Sequence, residues 1–521
     1  MRLNSHRRLK FVSLMFVAVT LVAQTASTPQ ATGKPEAKAN APSRGAAARS
    51  ASAEPVPRMP VDPQIAAAIR EISAARIRAI IEKLVSFNSR NSLGSGDPTL
   101  KEKGQGVVAA REWIKSEFER YSAECGGCLE VHVDSFIQPP GERIPKPTEM
   151  TNVYAVLRGS DPDAAKRMVL VTGHYDTIVL TPLKPGEEPP LSEPGKPAPV
   201  NPGSVDLIAQ APGANDDGSG TAVSLECARV LSKHRFPGTI IFLTVPGEEQ
   251  GLNGSLHFAR MAKQEGWNLI AALNNDIVGG NRTPGDTGRN PRRVRVFSEG
   301  LPLAADTAEI RRIRRYGWEN DSPSRQVARY ISDVGRAYLP KFRFMPEMIF
   351  RADRFGRGGD HTSFNREGFA AVRLTEDRED LNHQHQYVRT ENGIEYGDLP
   401  KFVDFDYTAN VARVNAATLA SLASGPPPPA NVRINMRAPG NSTTLTWDAV
   451  PEGVSVEVLW RLTTAPDWQH ARNVGRETRA VVDESKDNVM FAVRAVDKNG
   501  HRSLAVIPRP SGRERRVTYE E

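Results

Sequence analysis

The chain has 521 residues and a formal charge of +7, with 39% hydrophobic, 25% charged and 7% aromatic residues. That length predicts two to four domains, and the composition excludes both wholesale disorder and a polytopic membrane protein. Four of the positive charges, Arg2, Arg7, Arg8 and Lys10, lie in residues 1–26, which hold no acid; without that segment the excess is +3, too small to argue for a nucleic-acid partner.

The first 26 residues read as a signal peptide. A basic start precedes one apolar run, Phe11 to Ala23, whose 13 residues are too few to span a bilayer comfortably. No other segment is apolar and long enough, so the chain is expected to be exported, to periplasm or medium, with no integral membrane span once the signal is removed. Residues 27–62 are dominated by Ala, Pro and small polar residues and read as a flexible linker. In an oxidising compartment Cys125 and Cys128 (ECGGC) would be a local disulfide or two free thiols, and Cys227 a small buried apolar residue.

From about Asp62 apolar residues recur at helical spacing, predicting one helix over 65–87 and a second over 106–122. Strands are expected at 152–159, 168–176, 239–245 and 269–277, with helices at 221–234 and 255–264 between them. Near-continuous apolar strands alternating with helices imply an α/β fold over 63–424, a mostly parallel mixed sheet sandwiched by helices. Two insertions interrupt it. Residues 177–213 are rich in Pro, Gly and Glu and are expected to border the cleft. Residues 281–350 carry Arg292, Arg293, Arg295, Arg311, Arg312, Arg314 and Arg315, read as a solvated helix face rather than a polyanion site. The proline run of 425–431 reads as an interdomain spacer, 432–510 as a small β-sandwich, and 511–521 as a tail.

Four segments place acids or histidine at the ends of these strands, where ligands bind in α/β sheets. Gly173-His174-Tyr175-Asp176-Thr177 puts a carboxylate two residues from a histidine, close enough to hold its second ring nitrogen. Asn215-Asp216-Asp217-Gly218-Ser219-Gly220 is equally good as a helix start and as a source of a bridging carboxylate. Glu248 and Glu249 follow a very apolar strand, where paired acids are costly unless a cation neutralises them. Asp276 closes the fourth segment. Two histidines and three carboxylates make a mixed nitrogen–oxygen donor set that suits zinc, and also cobalt or manganese.

The ordered segments GHYDT, PGANDDGSG, GEEQGLNGS and LNNDIVGG resemble the signature segments of the exported dizinc aminopeptidase family, which includes bacterial leucyl aminopeptidases and glutamate carboxypeptidase, with glutaminyl cyclases as relatives. The resemblance covers about residues 65–422. It implies that His174 binds one zinc, that Asp216 bridges both, that Glu249 is a ligand, that Asp276 is a ligand of the other zinc, that Glu248 is the general base and that Asp176 orients His174. The family's last ligand, a histidine, is His385 or His383, with His385 preferred; on extended chain both would face one way. His361 falls in a family segment beside the site that is not itself a ligand. The residues after 432 resemble a fibronectin type III domain with Trp447 as core tryptophan, although Val489 stands where a tyrosine corner is expected. Such a domain would bind a partner the sequence does not name, or act as a spacer. The resemblance implies removal of N-terminal residues from peptide substrates. A carboxypeptidase or dipeptidase, a glutaminyl-cyclase-like enzyme and a non-catalytic binding protein are the alternatives on the same fold.

Overall fold

The computed structural model describes residues 54–180, 209–283, 285, 290–437 and 440–511. The signal segment, most of the 27–62 linker, residues 181–208 of the first insertion and nearly all of the tail lie outside the described residues. No helix among the described residues is long and apolar enough to cross a membrane.

The centre of the molecule is an eight-stranded sheet. In chain order its strands are β1 (Leu129–Gln138), β2 (Thr148–Leu157), β3 (Arg167–His174), β4 (Thr239–Val245), β5 (Asn268–Asn275), β6 (Arg293–Ser298), β7 (Met345–Ile349) and β8 (Ala371–Glu376). In space they run β1-β2-β4-β3-β5-β8-β6-β7. The four central strands, β4, β3, β5 and β8, are parallel; β2 and β6 join their two sides antiparallel.

The apolar runs of the central strands follow from covering both faces. Alternate side chains enter two separate cores: Val169 and Val171 one, Leu170 the other; Ile240 and Phe242 one, Ile241 and Leu243 the other. The larger core holds helices Ala74–Val85, Gly106–Glu124, Gly218–Leu231, Pro323–Tyr338 and Phe405–Ser424. The smaller one holds Asn253–Gln264 and His361–Glu367. This is the expected α/β architecture.

Several boundaries differ from expectation. The single helix over 65–87 is two helices, Pro63–Arg70 and Ala74–Val85. Ser73 adopts an extended backbone and its side chain accepts from the Arg76 amide, restarting the helix. Both pieces bury one apolar stripe, so the periodicity runs through the break. Residues 281–350 are not an insertion outside the sheet: they supply β6, β7 and the helix Pro323–Tyr338. In β6 only Val294, Val296, Phe297 and Ser298 are buried while Arg293 is exposed, which weakens its apolar signal. The later arginines do lie on a solvated helix, Thr307–Tyr316, whose one buried residue is Ile313. Cys125 and Cys128 form a disulfide, and Cys227 is free and buried.

After the proline run the chain forms two four-stranded sheets around Leu445, Trp447, Val456, Val458, Trp460, Phe491 and Val493. One edge is completed from the far end of the chain, where Glu54 and Pro55 pair with Ala471 and His470. Met59 is buried and Asp62 caps the first helix. The flexible-linker expectation therefore fails for residues 54–62: Val56 donates to the Gln469 carbonyl and packs on the sandwich, while Met59 joins the larger core and the Asp62 amide donates to Tyr338. The proline run is not an open spacer either. Gly425 and Pro426 are buried, and a side chain at Gly425 would meet the Arg502 carbonyl oxygen at 2.5 Å.

Candidate metal centre

Two glycines bring the site together. A Cβ at Gly173 would lie 2.4 Å from the Gly220 carbonyl carbon, and one at Gly220 would lie 2.1 Å from the Asn275 oxygen. The start of the helix Gly218–Leu231 can thus press against the ends of β3 and β5. Asp217 caps that helix, accepting from the amides of Gly220 (2.7 Å) and His174 (3.0 Å). Its neighbour Asp216 is left to face the opposite way. Of the pair, Asp217 therefore takes the helix-start role.

His174 ends β3 and is 1% exposed. Its Nε2 lies 3.2 Å from Asp216 Oδ1 and 4.0 Å from Asp276 Oδ1. Its Nδ1 is 3.2 Å from the Asp176 carbonyl oxygen and 3.4 Å from the Asp176 carboxylate. Asp176 thus lies against the His174 ring, with its backbone oxygen the nearer group. The same carboxylate accepts from the Glu248 amide at 3.3 Å, tying the GHYD and GEE turns together.

His385 Nε2 is 2.8 Å from Asp216 Oδ2, and its Nδ1 is 3.5 Å from Glu249 Oε2. His383 instead stacks on Phe402, ring centroids 3.6 Å apart, and pairs with Asp380. His385 has a φ of 54°, so the chain is not extended there and the two rings part company. Among the described residues His174, Asp216 and Glu249 offer donor atoms all within 4.8 Å of one another. Asp276 lies at the edge of this group, with the Arg373 guanidinium 2.8 Å from its Oδ1. His361 is buried against the Ala352 carbonyl, 3.0 Å away, and does not join the cluster.

The electrostatics fit a cation. Burial, reinforced by neighbouring acids, pushes Glu248 and Glu249 well above the carboxylate range. Burial works against ionised Asp216 as well, but His385 and His174 hold it well below that range. Burial also opposes a charged His174, yet Asp176 and Asp216 raise it well above an ordinary imidazole. His174 Nε2 and His385 Nδ1 are buried without a well-formed hydrogen bond. Repelling acids and ring nitrogens without hydrogen-bond partners are what a divalent ion would satisfy, and imidazole with carboxylate suits zinc.

Three supporting residues carried no motif. Arg90 is fully buried and donates to the carbonyls of Leu84, Tyr175, Pro212 and Gly213, clamping two site loops. Asp398 accepts from the amides of Asn215 (2.8 Å) and Asp216 (2.7 Å), and burial pushes it up to about 7. Arg373 bridges Asp276 and Asp353. Only Arg373 carried a signal, as a charge inside the apolar run of β8, because a buried charge demands partners; Arg90 and Asp398 lie in polar stretches that gave none.

Fold and site together define a class: an α/β protein with a cluster of histidine and carboxylate donors at the ends of parallel strands that could hold a metal ion. The model of peptidase family M28 matches residues 152–404. The chain is 42% identical over 456 residues to a probable zinc metalloprotease of Pyrenophora tritici-repentis, covering 87% of this chain and 88% of that protein. It is 40% identical over 460 residues to one of Pyricularia oryzae, covering 86% and 85%. Among solved structures it is similar to the LapA aminopeptidase of Legionella pneumophila, with a TM-score of 0.46 and 19% identity over 70% of this chain and 76% of that one. The chain belongs to peptidase family M28.

Proposed function

We propose that the protein is an exported zinc-dependent exopeptidase that removes N-terminal residues from peptides, with two ions held by His174, Asp216, Glu249, Asp276 and His385. The observation that carries this reading is the placement of Asp216. Its two oxygens face different histidines, 3.2 Å from His174 and 2.8 Å from His385, as a bridging carboxylate between two ions requires. That arrangement favours a dinuclear hydrolase over a cyclase with one zinc.

Zinc bound there would supply Lewis acidity to a substrate carbonyl and lower the pKa of water. The chain's own residues do the rest. Glu248 accepts the proton of the attacking water and delivers it to the leaving amine. Asp176 fixes the His174 ring through Nδ1 and leaves Nε2 facing the ions. The sandwich is assigned as fibronectin type III-like, with Trp447 in its core.

Glu248→Gln keeps the size of the side chain and removes its proton capacity. The variant should retain its zinc, measured by elemental analysis, while kcat falls by roughly 10²- to 10⁴-fold. Full turnover by that variant would overturn the assignment.

A further inference from the structure

We propose that a cationic pocket beside the metal centre receives a carboxylate of the substrate, so that negatively charged peptides are the preferred class; this rests on the exopeptidase reading above. The pocket is a cavity of about 600 Å³ under the loop that follows β7. Arg351, Arg354, Arg357 and Arg366 line it, and Asp353 is the one acid among its described lining residues. Asp353 is already engaged, 3.2 Å from both Arg373 and Arg354. Arg354 and Arg357 share a single acid, Glu379, each at 2.9 Å, and Arg295 also binds it at 2.6 Å. Arg351 and Arg366 form no ion pair among the described residues; Arg351 lies over the Phe355 ring, 4.4 Å from its centroid. Positive charge therefore exceeds negative charge in an open cleft where Arg351, Arg357 and Arg366 face solvent, and a guanidinium fork binds carboxylate in bidentate fashion.

The pocket adjoins the reaction site. Arg373 joins lining residue Asp353 to Asp276, at 3.2 and 2.8 Å. Gly359 packs so closely that a Cβ there would lie 3.2 Å from Asp276 Oδ2. Leu252, at the end of the turn bearing Glu248 and Glu249, forms part of the wall. A peptide whose scissile bond lies at the metal centre can thus place a neighbouring carboxylate among these arginines. That carboxylate is either the peptide's C-terminus or an acidic side chain.

The test compares kcat/KM within two substrate pairs. Leu-Gly against Leu-Gly amide isolates the C-terminal carboxylate; Leu-Asp amide against Leu-Asn amide isolates the side chain. The wild type should favour the charged member of one pair by about tenfold, equivalent to roughly 1.4 kcal/mol. That ratio should collapse toward one in the Arg351→Gln/Arg366→Gln double variant and persist in Arg314→Gln on the solvated helix. A ratio near one in both pairs, or a ratio untouched by the double variant, overturns the pocket. If the wild type cleaves none of the four peptides, the exopeptidase reading fails by itself. Calorimetric titration of zinc-loaded Glu248→Gln with the same pairs then decides the pocket: tighter binding of a charged member, lost in the arginine variants, supports it, and equal or undetectable binding overturns it.

Discussion

His383 and His385 differ by two positions and by everything that matters to a metal. One is held on Phe402 by stacking, the other faces Asp216 and Glu249. His385→Ala should therefore lower zinc content and activity together, while His383→Ala should keep its zinc; equal zinc loss in both would contradict the assignment. The backbone conformation at His385, a positive φ, was invisible in the alternation of the sequence. The cluster of His174, Asp216 and Glu249 was legible because motifs at strand ends put those residue types there. Asp398, Arg90 and Arg373 were not, because their roles come from contacts across the fold. Away from the centre, Glu299 is 4% exposed, and burial pushes its carboxyl up to about 7 from an ordinary 4.5. The unfolded chain releases that proton near pH 4.5 and the folded chain near pH 7, so folding stability falls as pH rises through that window. Glu299→Gln should gain on the wild type from pH 5 to pH 8 by up to roughly 3 kcal/mol in urea unfolding. A gap independent of pH would refute the burial argument.

At the scale of elements, the site depends on two glycines that let a helix start touch two strand ends. Gly173→Ala and Gly220→Ala each force a Cβ into backbone at 2.4 Å or less. Each should cost at least about 3 kcal/mol, since neither contact is with a flexible side chain that could yield. Wild-type melting by either variant would show that the helix can shift away. The fully covered strands β3, β4 and β5 were plain in the sequence because both faces are apolar. β1 and β6 were missed because alternate positions face solvent, as with Val133 and Arg293. The break at Ser73 was missed because an apolar stripe continues across it, and the periodicity alone carries no sign of a cap.

For the whole molecule, the surprise is how firmly the C-terminal sandwich is joined to the peptidase body. Asp321 is buried between Arg461 (2.8 and 2.9 Å) and Arg329 (3.0 Å), and strand Glu54–Pro55 binds the sandwich from the other end of the chain. A proline run and a change of pattern at 425 predicted separable parts; composition reports the boundary and says nothing of the ion network that spans it. Asp321→Ala leaves two buried guanidinium groups without their acid and should cost about 3–5 kcal/mol, with the body and sandwich still melting in one calorimetric transition in the wild type. Two separate wild-type transitions would contradict this coupling. The measurement that bears most directly on function is hydrolysis of leucine anilide beside N-acetyl-leucine anilide by the zinc-loaded chain. Cleavage of the free-amine substrate alone, lost in Glu248→Gln, is the predicted result. Equal cleavage of both, or cleavage of the acetylated substrate alone, would contradict an aminopeptidase built on this centre.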